Sequence, residues 1–120
     1  MKYSMFIGRW QPWHKGHRWL IDQRLNKGRN VLVCIREVSL DDSNPYNPHD
    51  VKENIENELN DLIKSNRVKV IIIPDIESVN YGRGVGYDII EHTPPNEIRE
   101  ISATKIRQKL LNETKNNTNL

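Results

Sequence analysis

The run Val31-Leu32-Val33-Cys34-Ile35 constrains this chain more than any other stretch. It is apolar throughout and rich in β-branched residues, with no polar alternation. Such a run reads as a strand covered on both faces, the situation of a strand inside a parallel sheet. Tyr3 to Ile7 is a shorter apolar run of the same kind, and Val68 to Ile73 is a third, stopped by Pro74. Between the first two, Arg18 to Asn26 reads as a helix with Trp19, Leu20 and Leu25 toward the core, ended by Gly28. Strand, helix, strand in so short a span is a βαβ unit, whose crossover is expected to be right-handed. Asp50 to Ser65 carries Val51, Ile55, Leu59, Leu62 and Ile63 on one stripe, the signature of an amphipathic helix. The expected architecture is α/β, a single domain over residues 1–111 with a parallel sheet flanked by helices.

The rest is less regular. Glu37 to Pro48, with Asp41, Asp42, Ser43, Asn44 and two prolines, reads as a loop leaving the carboxyl end of the second strand, where ligands bind in open α/β sheets. Asp75 to Gly86 reads as irregular and Tyr87 to Glu91 as a short edge strand. A last helix is expected from Ser102 or Thr104 to Asn112, with Ile106, Leu110 and Leu111 on one side. Residues 112–120 have little to bury and are expected to be a disordered tail.

Composition removes several classes of function. A formal charge of +2 over 120 residues is too weak to argue for nucleic acid, whose binders usually show a clustered basic face. One cysteine, Cys34, lies inside an apolar run; it reads as a buried hydrophobe, excludes an internal disulfide framework and fits a reducing compartment. No stretch approaches the roughly 20 apolar residues that span a bilayer, and no signal peptide opens the sequence. A cytoplasmic protein with no membrane partner is expected.

Chemistry concentrates between the first strand and first helix, in Gly8-Arg9-Trp10-Gln11-Pro12-Trp13-His14-Lys15-Gly16-His17. A strand-to-helix turn gathers unpaired backbone N–H groups and the positive end of a helix dipole, a setting that binds phosphate. His14 and His17, three apart, can face one side of the first turn and add donors. The same spacing suits a zinc pair, but only His49 and His92 remain to complete one, so direct metal ligation by the protein is not expected. Two histidines satisfied structurally at a helix start remain an alternative. A second helix start, Ile101-Ser102-Ala103-Thr104-Lys105-Ile106-Arg107, offers two N-cap hydroxyls and an arginine. Facing the first across a parallel sheet, it would complete a clamp for a triphosphate.

The two stretches together resemble a known family. Gly8–His17 is similar to the HxGH signature of the cytidylyltransferase-like nucleotidyltransferase superfamily, and Ile101–Arg107 to its ISxTxxR signature. The resemblance implies a Rossmann-like domain that binds a nucleoside triphosphate, usually with Mg²⁺. An oxygen of a phosphate- or phosphonate-bearing metabolite attacks the α-phosphorus and pyrophosphate leaves. By motif match, His14 and His17 would stabilise charge as pyrophosphate departs. Gly8 and Gly16 would admit the nucleotide close to the backbone. Ser102, Thr104 and Arg107 would grip the β and γ phosphates, with Arg9 and Gln11 in the same loop. Trp10 and Trp13 read as packing for that loop.

The middle of the chain divides the family readings. Asn44-Pro45-Tyr46 is similar to the NPF pattern of nicotinamide mononucleotide adenylyltransferases, but Val51 and Lys52 stand where an arginine is common there. The stretch Val79-Asn80-Tyr81-Gly82-Arg83-Gly84-Val85-Gly86-Tyr87 resembles small cytidylyltransferase domains, including one that activates a phosphonate. CTP is therefore expected ahead of ATP; a nucleotide sensor without turnover is the reading from another class. Tyr81, Arg83, Tyr87 and, by position, Arg36 are the candidates for recognising the acceptor. A homodimer is the expected assembly.

Overall fold

In the computed structural model, which describes residues 1–101 and 105–111, the three apolar runs lie side by side. They form β1 (Tyr3–Gly8), β2 (Asn30–Glu37) and β3 (Val68–Pro74), all parallel, in the order β1-β2-β3. Phe6 stands beside Val33, and Val33 beside Val70, so side chains of like parity share a face. The chain is an α/β domain of the Rossmann-like kind, as its patterning implies.

One sheet face carries the core. Val31, Val33, Ile35, Val68 and Val70 meet Ile21 and Leu25 of helix α1 (Lys15–Leu25) and Val51 and Ile55 of α2 (Pro48–Glu58). Burying each such side chain stabilises the fold by about 1.5–3 kcal/mol. The opposite face is covered only in part. Cys34 is buried there, but Met5 is 57% exposed and Tyr3 40%. The expectation of cover on both faces thus holds at the centre of the middle strand and fails at β1.

Helix boundaries follow local chemistry. At the end of α1, Gly28 takes a left-handed φ of 74°, and the Gly28 and Arg29 N–H groups return to the carbonyls of Leu25 and Arg24. Arg67, just before β3, donates to the carbonyls of Leu25 and Arg29 and ties this corner to the third strand. The expected single helix from Asp50 to Ser65 is instead two. It begins earlier, at Pro48, because Asn47 caps it by accepting from the Asp50 N–H at 2.9 Å. It breaks at Leu59, whose φ of −107° and ψ of 22° are not helical, before α3 (Asn60–Lys64). Leu59 is itself buried.

Residues 75–95 carry no strand or helix, and Tyr87 to Glu91 are exposed rather than paired as an edge strand. Their far end is fastened where His92 stacks on Phe6 of β1, ring centroids 6.1 Å apart. A short helix, α4 (Asn96–Arg99), follows. Residues 105–111 are helical and form α5. The expected tail, 112–120, lies outside the described residues.

Because all strands are parallel, the connections 9–14, 38–47 and 75–95 all leave the same, carboxyl end of the sheet. No helix among the described residues is long and apolar enough to cross a membrane.

Candidate functional site

The connection from β1 to α1 is built around its aromatic rings. Trp10 is 6% exposed and takes a φ of 55°, a left-handed conformation that costs a bulky residue about 1–3 kcal/mol. Its indole Nε1–H donates to the Cys34 carbonyl at 3.0 Å, and its ring meets Trp13 at 5.4 Å and His17 at 4.8 Å. Gly8 is required by this arrangement. A Cβ there would lie 2.9 Å from Trp10 Cε2. Gly16 is required in the same way, since its Cβ would lie 2.8 Å from His14 Cε1. At both positions the close approach expected of a nucleotide is made by one of the protein's own rings.

His14 and His17 start helix α1 reciprocally. His14 is the N-cap, and its Nδ1 accepts from the Gly16 N–H at 3.0 Å. His17 Nδ1 accepts from the His14 N–H at 3.2 Å, closing a capping box in which histidine replaces the usual glutamate or glutamine. The two rings stack with centroids 3.6 Å apart. Since each Nδ1 accepts, the hydrogen-bond network assigns each proton to Nε2. Burial, and then the neighbouring His14, lower the pKa of His17 to about 3; burial lowers His14 as well. Neither Nε2 bonds to a described residue and no buried side-chain nitrogen or oxygen is unpaired among the described residues, so both Nε2–H groups face accessible space. Each ring thus caps the helix through Nδ1 and leaves its Nε2–H unused by that cap. Lys15, the first helical residue, is exposed.

The second stretch reaches this loop. Arg107, in α5, is 8% exposed and donates through Nη1 to the carbonyl of Gln11, 96 residues away in sequence. The Ile101 carbonyl lies 3.7 Å from the position of a Gly16 Cβ. The two stretches singled out by sequence thus meet in space. Ser102 and Thr104 lie outside the described residues.

Other candidates hold the loops together. Gln11, 3% exposed, donates to the Tyr46 carbonyl at 2.8 Å and accepts from the Tyr46 N–H at 3.0 Å. Its amide is thereby committed to the next loop rather than to open space. Arg9 is exposed and donates to Asn44 Oδ1 at 3.1 Å. Asn44 is held in turn by Asp41, whose Oδ1 accepts from its backbone and its side chain. Sequence patterning did not single out Asn44 or Tyr46 as partners of the first loop.

On the acceptor side, Arg36 pairs with Asp75 at 2.7 Å and donates to the Ile76 carbonyl. With Ile7, Glu77 and Ser78 it lines an open pocket of about 280 Å³ at the carboxyl end of the sheet. Tyr81, Arg83 and Tyr87 are exposed in the irregular segment; Tyr81 and Tyr87 are 68% and 76% exposed, and the structure does not bring these three to the histidines.

The described residues include no group of three His, Cys, Asp or Glu side chains placed to hold a metal ion. The motif loop instead presents N–H donors, which suit anionic oxygen. No family model matches the sequence, and comparison with curated proteins gave no match.

Proposed function

We propose that this protein is a nucleotidyltransferase of the cytidylyltransferase-like kind, transferring CMP from CTP to a phosphate- or phosphonate-bearing metabolite. The observation that carries this reading is the contact between its two motif stretches, Arg107 on the Gln11 carbonyl beside the stacked His14 and His17. A helix start, two neutral Nε2–H donors and an arginine-bearing helix converge there. That combination neutralises and positions a polyphosphate without a nucleophile.

In the proposed reaction an acceptor oxygen attacks the α-phosphorus. The bond to the bridging oxygen of the β-phosphate breaks, and pyrophosphate leaves with the electron pair. The two imidazoles donate hydrogen bonds to phosphate oxygens as charge builds, and stay neutral throughout. Mg²⁺, if it enters with the triphosphate, would offset charge there; N–H donors such as those of the loop cannot ligate it. Ser102 and Thr104 are proposed to grip the outer phosphates. The acceptor's anionic group is proposed to displace Asp75 from Arg36 in the pocket at the sheet's carboxyl end. The enzyme is proposed to act in the cytoplasm as a homodimer.

The test is pyrophosphate release with each of the four nucleoside triphosphates, Mg²⁺ and a panel of phosphomonoesters and alkylphosphonates. Release with CTP and one acceptor class is expected. Release with ATP alone moves the reading to an adenylyltransferase. Triphosphate binding without release under any pairing overturns catalysis in favour of a sensor.

A further inference from the structure

A second cavity, of about 270 Å³, opens between the motif loop and helix α2, lined by Trp10, Pro12, Tyr46, Asp50, Val51 and Asn54. Nothing in the proposed transfer uses it. Two aromatic rings, a proline and a valine make most of its wall apolar. Among the described residues, its one acidic or basic lining group is the Asp50 carboxylate, with the Asn54 carboxamide one helical turn further on. Asp50 is exposed, and its Oδ2 accepts from Asn47 Nδ2 at 2.8 Å. No lysine or arginine forms an ion pair with it among the described residues.

We infer that this cavity binds a small alkylammonium compound. An anion would meet the carboxylate, and a neutral apolar molecule would gain nothing from it. A cation sheathed in methyl or methylene groups satisfies every wall at once. Aromatic faces attract it through their quadrupole, the carboxylate supplies the counter-charge, and its alkyl surface lies on Pro12 and Val51. The volume admits a small ligand and not a large one. The floor is preorganised, because Trp10 is anchored to Cys34 and the Tyr46 backbone to Gln11.

The inference does not rest on nucleotidyl transfer, and its test reads binding alone. Choline and tetramethylammonium are titrated by calorimetry into the full-length chain, beside the uncharged isostere 3,3-dimethylbutan-1-ol. Saturable binding of both cations is expected, with the isostere about tenfold weaker or worse. Asp50→Asn keeps the acceptor for Asn47 and should weaken choline about tenfold. Tyr46→Leu, which leaves the backbone clamp intact, should weaken choline and tetramethylammonium alike and serves if the first variant does not fold. Equal binding of choline and its isostere overturns the inference, as does the absence of saturable binding by either cation.

Discussion

The Arg107 guanidinium donates to the main-chain carbonyl of Gln11, a contact that joins the last described helix to the loop behind the first strand. A carbonyl in a turn has few alternatives for its lone pairs once buried, so the guanidinium both satisfies it and fixes where α5 lies. Hydrogen bonds to charged groups contribute about 1.5–3 kcal/mol. Arg107→Ala should lower stability by about that amount in urea unfolding, and should weaken triphosphate binding in calorimetry. Arg107→Lys should recover only part of either, since an ammonium lacks the planar fork. A variant with wild-type stability would show that the contact does not hold the helix.

The capping box makes a pH prediction with a definite sign. In the unfolded chain His17 takes up a proton near the ordinary value of 6.5, whereas the folded imidazole resists protonation down to about 3. Between those values the unfolded state binds the extra proton. The contribution of this group to stability is therefore complete above pH 6.5 and declines as pH falls through that window, by up to about 1.4 kcal/mol per pH unit. His17→Gln preserves the box, because a glutamine at this position can reach back to the His14 N–H, but it does not titrate. Its stability curve should be flatter in acid and close to wild type at neutral pH, while turnover is lost. Parallel acid curves for the two proteins would contradict the assignment.

Gly16→Ala offers a reversal of the usual rule. Inside a helix, alanine for glycine normally stabilises by about 0.5–1 kcal/mol. Here the added methyl meets the His14 ring at 2.8 Å from Cε1 and 3.0 Å from Nδ1. The ring must move and the Gly16 N–H loses its acceptor, so a net loss of stability is expected by thermal unfolding. Combining Gly16→Ala with His14→Ser, a smaller cap, should restore stability without restoring activity. A stabilised single variant would mean that the ring can move at no cost.

Cys34 is 1% exposed on β2, and burial pushes its thiol pKa up. A thiol-specific disulfide reagent should label it only as fast as the domain opens, and urea should accelerate labelling in step with unfolding. Rapid labelling in native buffer would place the thiol nearer the surface than the fold does.

Much of the architecture was legible in three apolar runs, because an unbroken β-branched stretch has few homes other than a covered strand. The break at Leu59 was not. Val51, Ile55, Leu59, Leu62 and Ile63 hold one helical phase, and periodicity registers which side is apolar without registering a local change of ψ. The earlier start at Pro48 was in principle visible, since asparagine, proline and an acidic residue in that order is a strong cap. Tyr87, Ile89 and Ile90 have high strand propensity, but propensity reports fit to a half-buried surface, and no sheet edge receives them. In the site, the approach of the two stretches was legible, and so was the placing of His14 and His17 at the start of a helix. What no sequence pattern could supply was the pairing of Gln11 with Tyr46, a polar side chain answering a backbone 35 residues away. The same holds for the glycines: their need for space was readable, while the identity of the intruder, Trp10 or His14, depends on ring directions in the folded chain.

The Gln11 amide grips both polar groups of a single peptide residue, Tyr46, and Arg9 holds Asn44 two positions before it. Slipping the second loop by one residue would break both ends of the grip together. Its length is therefore set to the residue, much as a cog is set by its pitch. Insertions between Asn44 and Tyr46 should abolish triphosphate binding, whereas insertions of equal size near Gly82, which has open space around it, should be tolerated. Variation in what this scaffold recognises has one connection free to change its length, the one that follows the third strand.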